Sequence, residues 1–148
     1  MATINGGSKL DQKLRDITKL MSNASSVKVG FLAESKYPDG KPVAMIAAIQ
    51  DYGAPSVGIP PRPFFRNMVA AKKEEWPAAI AALLKANGYD ALRTLQQTGE
   101  AISGQLRQSI VDTNEPPLAE STIRRKGFSK PLVDTGHMLN SVSYEVQA

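Results

Sequence analysis

Three prolines within four residues, Pro60, Pro61 and Pro63, divide this chain. Each fixes its own φ, removes a backbone donor and disfavours the α region in the residue before it. Ala54 to Pro63 is therefore excluded from regular structure, and Arg62 is held extended between two prolines. Pro63 suits the first position of a helix, which predicts a helix from Phe64 to about Asn87. Trp76-Pro77 lies inside that stretch and predicts a kink or break there, costing roughly 3 kcal/mol unless relieved. Asn87-Gly88 is a helix stop.

On either side of this segment the periodicities are clear. Leu10, Leu14, Ile17 and Met21 recur at helical spacing, with Ser8 as the predicted N-cap. Val27, Val29 and Phe31 alternate with Lys28 and Gly30 as a strand does. Tyr37-Pro38-Asp39-Gly40 is a turn. An Ala- and Ile-rich helix follows from about Val43 to Asp51, and Gly53 stands at its end. A long helix runs from Asp90 to about Asp112, with Leu92, Leu95, Gly99, Ile102, Leu106 and Ile110 as its stripe. Gly99 on that stripe would let another backbone approach closely. Leu118 to Lys126 reads as a short basic helix stopped by Gly127. Val142, Tyr144 and Val146 alternate with Ser143 and Glu145 in a closing strand. The order predicts an α+β fold. A small, mostly antiparallel sheet, with strands near 27–33 and 142–147, packs against two long helices and shorter ones. Residues 1–7 read as a flexible arm and 8–148 as a single domain.

The 148 residues suit one domain. The chain has no cysteine and one histidine, His137, so neither a thiolate zinc site nor a His-rich metal site can be built. No apolar run approaches a membrane span, and no signal-peptide pattern opens the chain. A soluble product in the cytoplasm at synthesis is the expectation. The net charge of +4 is compatible with lying near nucleic acid.

Leu132-Val133-Asp134-Thr135-Gly136 is how an aspartic protease writes its catalytic strand. Such an enzyme needs two aspartates side by side, and a chain with one copy must dimerise and still build a flap. Only twelve residues follow Gly136. Asp134, His137 and Ser141 are also the residue types of a hydrolase triad, but they stand too close in sequence to come from separate elements. Asp134, Thr135 and Gly136 are read instead as a structural turn, with a cap and a tight backbone that deliver the last strand. Gly99 to Gly104 has the spacing of a phosphate loop but lacks its Lys and lies within a helical pattern. Nothing assembles an active site, and neither a cofactor nor a metal is expected.

Two surfaces remain. Arg124, Arg125, Lys126 and Lys130 form the densest basic patch, either a solvated helix face or a contact for DNA phosphates or an acidic partner. Pro60, Pro61, Arg62, Pro63, Phe64 and Phe65 form a pre-stiffened segment that loses little entropy on docking. Phe and Arg are favoured at interfaces, so this is the candidate interface, with Arg62 expected to pair with a carboxylate in the fold or on a neighbour. The competing reading has both phenylalanines covering the chain's own core.

Several motifs, in order, carry a resemblance. They are the strand Val27 to Phe31, then Gln50-Asp51-Tyr52-Gly53, then Ile59-Pro60-Pro61-Arg62-Pro63-Phe64-Phe65. Last comes Leu118 to Gly127 running into Pro131-Leu132-Val133-Asp134-Thr135-Gly136-His137-Met138-Leu139-Asn140-Ser141-Val142. Together they resemble the tail-component or neck-protein family of long-tailed bacteriophages, from about residue 27 to the end. The resemblance implies a non-enzymatic virion structural protein at the head–tail junction or the top of the tail. Its role there would be tail completion or head–tail joining. It implies a ring, sixfold or else twelvefold, with the connector, tail-terminator or tail-tube proteins as neighbours and channel DNA phosphates as a further contact. It places the chain in the host cytoplasm during assembly and in the virion neck or tail afterwards, with no membrane partner. The alternative is a small basic nucleic-acid-binding protein that uses the Arg124 to Lys130 patch.

Overall fold

The computed structural model describes residues 6–113 and 136–148. The expected helix at 118–126, the basic patch Arg124, Arg125, Lys126 and Lys130, and the turn residues Asp134 and Thr135 lie outside them. In order, the elements are α1 (Gly7–Met21), β1 (Ser26–Phe31), α2 (Val43–Tyr52) and a 3₁₀ turn (Pro55–Val57). Then come α3 (Phe64–Lys72), α4 (Trp76–Ala86), α5 (Ala91–Asp112), a short α6 (His137–Asn140) and β2 (Val142–Gln147). This is an α+β fold, with a two-stranded antiparallel sheet against α5.

Helix α5 is the spine, and both strands, α3, α4 and α1 pack on it. Asp90 caps it, accepting from Arg93 N at 3.2 Å. The buried face is not quite the predicted stripe. Leu106 and Ile110 are fully buried, but Leu92 is exposed and Leu95 only half-buried, while Thr94, Thr98 and Ser103 turn inward. The threonines tolerate this because each hydroxyl donates to the carbonyl four residues back. Thr94 bonds Asp90 O at 2.7 Å and Thr98 bonds Thr94 O at 2.8 Å. Gly99 is needed for close approach, as expected, but the approaching groups are side chains of the sheet rather than backbone. A Cβ there would stand 2.5 Å from the Tyr144 ring and 3.0 Å from Val27 Cγ2.

Strands β1 and β2 pair with Val27 opposite Val146, Val29 opposite Tyr144 and Phe31 opposite Val142. β1 stops at Phe31, short of residue 33, because the chain turns with Ser35 N donating to Leu32 O. The Tyr37–Gly40 turn forms as predicted, Gly40 N donating to Tyr37 O at 2.9 Å. The core between α5, α2, α3 and the sheet holds Val43, Ala47, Phe64, Met68, Leu106, Ile110, Met138 and Val142.

Three boundaries differ from the sequence reading. Helix α1 begins at Gly7, capped by Gly6 in a left-handed conformation, because Gly6 O already accepts from Leu10 N. Ser8 is therefore inside the helix, and residue 7 is not part of an arm. The break expected near Trp76-Pro77 divides Phe64 to Asn87 into two helices, but a few residues upstream of that dipeptide. The break falls at residues 73–75, so Pro77 sits in the first turn of α4, where its missing N–H costs nothing. Pro63 precedes α3 rather than opening it. Its φ of −77° and ψ of 57°, with Phe64 N donating to Arg62 O at 2.7 Å, make an inverse γ-turn. The stop at Asn87-Gly88 is a Schellman motif. Tyr89 N donates to Leu84 O at 2.8 Å and Gly88 N to Lys85 O at 3.2 Å.

Candidate functional site

The Pro60–Phe65 segment is folded onto the end of α2. Gly53 ends that helix at φ 77°, and an added Cβ would meet Pro61 N at 2.7 Å and Ile59 O at 2.9 Å. Only glycine suits both the backbone angle and the space. Residues 54–59 are more regular than a proline-rich loop suggests. Ala54 and Ile59 exchange two backbone hydrogen bonds around the 3₁₀ turn. Beyond them Arg62 N donates to Gln50 O at 2.7 Å, and the extended conformation forced by the prolines makes that bond possible.

Arg62 and Phe64 point inward. Arg62 is 6% exposed and Phe64 1% exposed. Phe64 meets the Phe31 ring edge-on, with centroids 6.3 Å apart, and its carbonyl accepts from Ser109 Oγ at 2.6 Å. Phe65 is half-buried, with a ring atom 3.9 Å from where a Cβ on Gly30 would be. Pro60 and Pro61 are exposed and Pro63 is half-buried. Arg62 and Phe64 thus close the chain's own core, and their part in the candidate interface is corrected. The reason is the γ-turn at Pro63, which aims the first residue of α3 at α5. Arg62 Nη1 donates to Gln50 Oε1 at 3.5 Å. Burial pushes its guanidinium below the ordinary range, and it stays protonated at neutral pH because arginine starts so high.

Arg66, one residue beyond this segment, pairs with the Asp51 carboxylate. Asp51 is 3% exposed. Its Oδ1 accepts from Phe65 N at 2.9 Å and Arg66 N at 3.3 Å, and its Oδ2 accepts from Arg66 Nε at 2.7 Å. Arg66 Nη2 also donates to Asp51 O at 2.7 Å, and the guanidinium lies 4.4 Å from the centre of the Tyr52 ring. Asp51 therefore caps α3 from another element, supplying the acceptor that proline at the cap position cannot. Both Asp51 and Arg66 lie within or beside the motifs quoted above. Sequence reasoning did not single out Arg66, because spacing alone does not say which side chain faces a carboxylate.

Gly136 caps α6 at φ 72°, so it has the tight backbone expected of the turn, and α6 leads directly into β2. The His137 and Ser141 side chains do not meet as triad members. His137 Nε2 donates to Lys36 O at 2.7 Å and the ring lies 4.8 Å from Tyr37. Ser141 Oγ donates to His137 O at 2.7 Å. Among the described residues no cluster of His, Asp and Glu could hold a metal ion, and no helix is long and apolar enough to cross a membrane.

The surface that the sequence did not single out is helical. No residue of α1 is buried. Leu10 is 60% exposed, Leu14 52% and Met21 48%, and of the predicted stripe only Ile17 is partly covered. On α2 the exposed residues are Ala44, Met45, Ala48 and Tyr52, and Val57 just beyond is 70% exposed. No protein-family model, curated protein or solved structure matches the chain.

Proposed function

We propose that the chain is a structural protein of a tailed-phage virion, at the neck or the top of the tail, acting in tail completion or head–tail joining by ring assembly. One observation carries the reading most: a 15-residue helix with no buried residue, on which Leu10, Leu14, Leu20 and Met21 stand exposed. Large exposed apolar surface marks an interaction site. The motifs behind the resemblance also converge in space. Asp51 from one caps the helix begun by Phe64 from another, and Met138 and Val142 from the last pack in the same core as Phe64. A segment used this way holds the shape of the subunit. Docking then falls to the exposed helices rather than to Pro60–Phe65. The neighbours are further copies of the chain and the connector, tail-terminator or tail-tube proteins, and a basic chain beside the channel is suited to DNA phosphates.

Quantitative mass spectrometry of purified particles tests this. The expected result is several copies per particle, in a multiple of six relative to the single-copy components. Absence from intact particles, or one copy each, overturns the proposal.

A further inference from the structure

We infer that α1 is a releasable strap. It opens and refolds as its own unit, with the boundary at Ser22, while the rest of the subunit stays folded. The inference stands on how α1 is fastened and is independent of the virion reading.

Along the helix the fastening is thin. Ile17 is the one residue of α1 that is even partly covered, and none is buried, whereas α5 buries six. Among the described residues, every hydrogen bond made by α1 stays within residues 6–23. Gln12 Nε2 donates to Asp16 Oδ1 at 3.0 Å, and Thr18 Oγ1 to Leu14 O at 2.8 Å. No ion pair joins α1 to another described element. Its first turn is weakly made too, because Gly6 has no side chain to cap it and no acidic residue stands there. A helix of 15 residues is marginal by itself in water. Its persistence therefore rests on a thin contact with α5.

Just past the helix the fastening is dense. Asn23 Nδ2 donates to Asp90 Oδ1 at 3.1 Å, and Asn23 Oδ1 accepts from Leu92 N at 2.8 Å. One side chain thus ties the chain to the cap and the first turn of α5. Ala24 is buried. Ser25 N donates to Gln147 O at 2.8 Å and Ser25 Oγ to Ala148 O at 3.1 Å, which ties the chain to the end of β2. Ser22 instead closes the helix on itself, its Oγ donating to Thr18 O at 2.9 Å. The step from no tertiary bond to several falls between Ser22 and Asn23. A cooperative unit ends where its tertiary bonds end, so opening of α1 breaks no hydrogen bond of the body and stops at Asn23. Release also exposes little new apolar surface, since Leu10, Leu14, Leu20 and Met21 are exposed while α1 is docked. The cost of release is small and falls on α1 alone. What changes is reach: the docked helix is about 22 Å long, and the same 15 residues released span up to about 50 Å.

Two measurements on the full chain test this. The single tryptophan, Trp76, donates from Nε1 to Gln105 Oε1 on α5 at 2.9 Å, so its fluorescence reports the body. Arg15→Pro breaks α1 at an exposed interior position. Its urea midpoint by Trp76 fluorescence is expected to match the parent's, with weaker far-UV ellipticity. A midpoint that falls with the helix, or an ellipticity that does not change, would overturn the inference. The second measurement is hydrogen exchange of the parent, read by NMR. The amides of residues 11–21 are expected to be protected, but on the order of 100-fold less than those of Leu106 and Ile110, at rates that low urea leaves unchanged. Protection equal to that of α5 would put α1 in the cooperative body, and no protection would mean that it does not dock. Either overturns the strap. Neither touches the virion reading, which is decided by the copy number in particles.

Discussion

Removing the Asp51 carboxylate, near the end of α2, should destabilise the chain by uncapping α3. Asp51→Ala deletes the acceptor for two N–H groups in the first turn of α3, a cap loss of about 1 kcal/mol that reaches 2 at buried sites. It also deletes the partner of Arg66. The Arg66 side chain is 47% exposed, so it rehydrates when abandoned, and the pair is discounted for solvent to about 1 kcal/mol. The total is about 2–3 kcal/mol, below the range for breaking a fully buried pair. For a chain of this length that is a fall in melting temperature of roughly 6–10 °C. Asp51→Asn keeps an oxygen for Phe65 N and loses the charge, so it should cost about 1 kcal/mol. Thermal melting followed by circular dichroism on both variants decides the matter. If Asp51→Ala melts with the parent, or Asp51→Asn is as damaging as Asp51→Ala, the trans-cap explanation of α3 is wrong.

Phe64→Ala should cost about 3–5 kcal/mol of monomer stability in urea unfolding, since the ring is fully buried; a variant that unfolds like the parent would return Phe64 to the surface. Gly99→Ala should cost about 1–3 kcal/mol by the same measurement, because its Cβ would overlap the Tyr144 ring. Ser103 Oγ is buried with no hydrogen-bond partner among the described residues, so Ser103→Ala should be neutral or stabilise by up to about 1 kcal/mol in calorimetry. Bonds from Arg93 N and Asn23 hold the Asp90 carboxyl below the ordinary carboxylate value. The stability this contributes is present above the unfolded value near pH 3.9 and is lost as pH falls through the lower folded value. Melting curves of Asp90→Asn and parent should converge at acid pH and separate above it.

What could be read from the sequence was local. Gly53, Asn87-Gly88 and Asp90 end or begin helices through groups within a few residues, so their types announce them. Pro77 announced a break, though the helix placed it upstream so that proline falls in a first turn. The inward face of α5 was hidden because Thr94 and Thr98 satisfy their hydroxyls within the helix, and apolar spacing does not register that. The Asp51 cap spans fourteen residues and depends on the γ-turn at Pro63, which the sequence allows but does not single out. Periodicity found the apolar stripe of α1. It says which face is apolar and not whether the rest of the subunit covers it.

Cryo-electron microscopy of intact particles tests the proposed function most directly. Six or twelve copies of this fold in a symmetric ring at the neck or tail top is the predicted density. Particles whose neck and tail are fully explained by other chains, with no density for this fold, would contradict it.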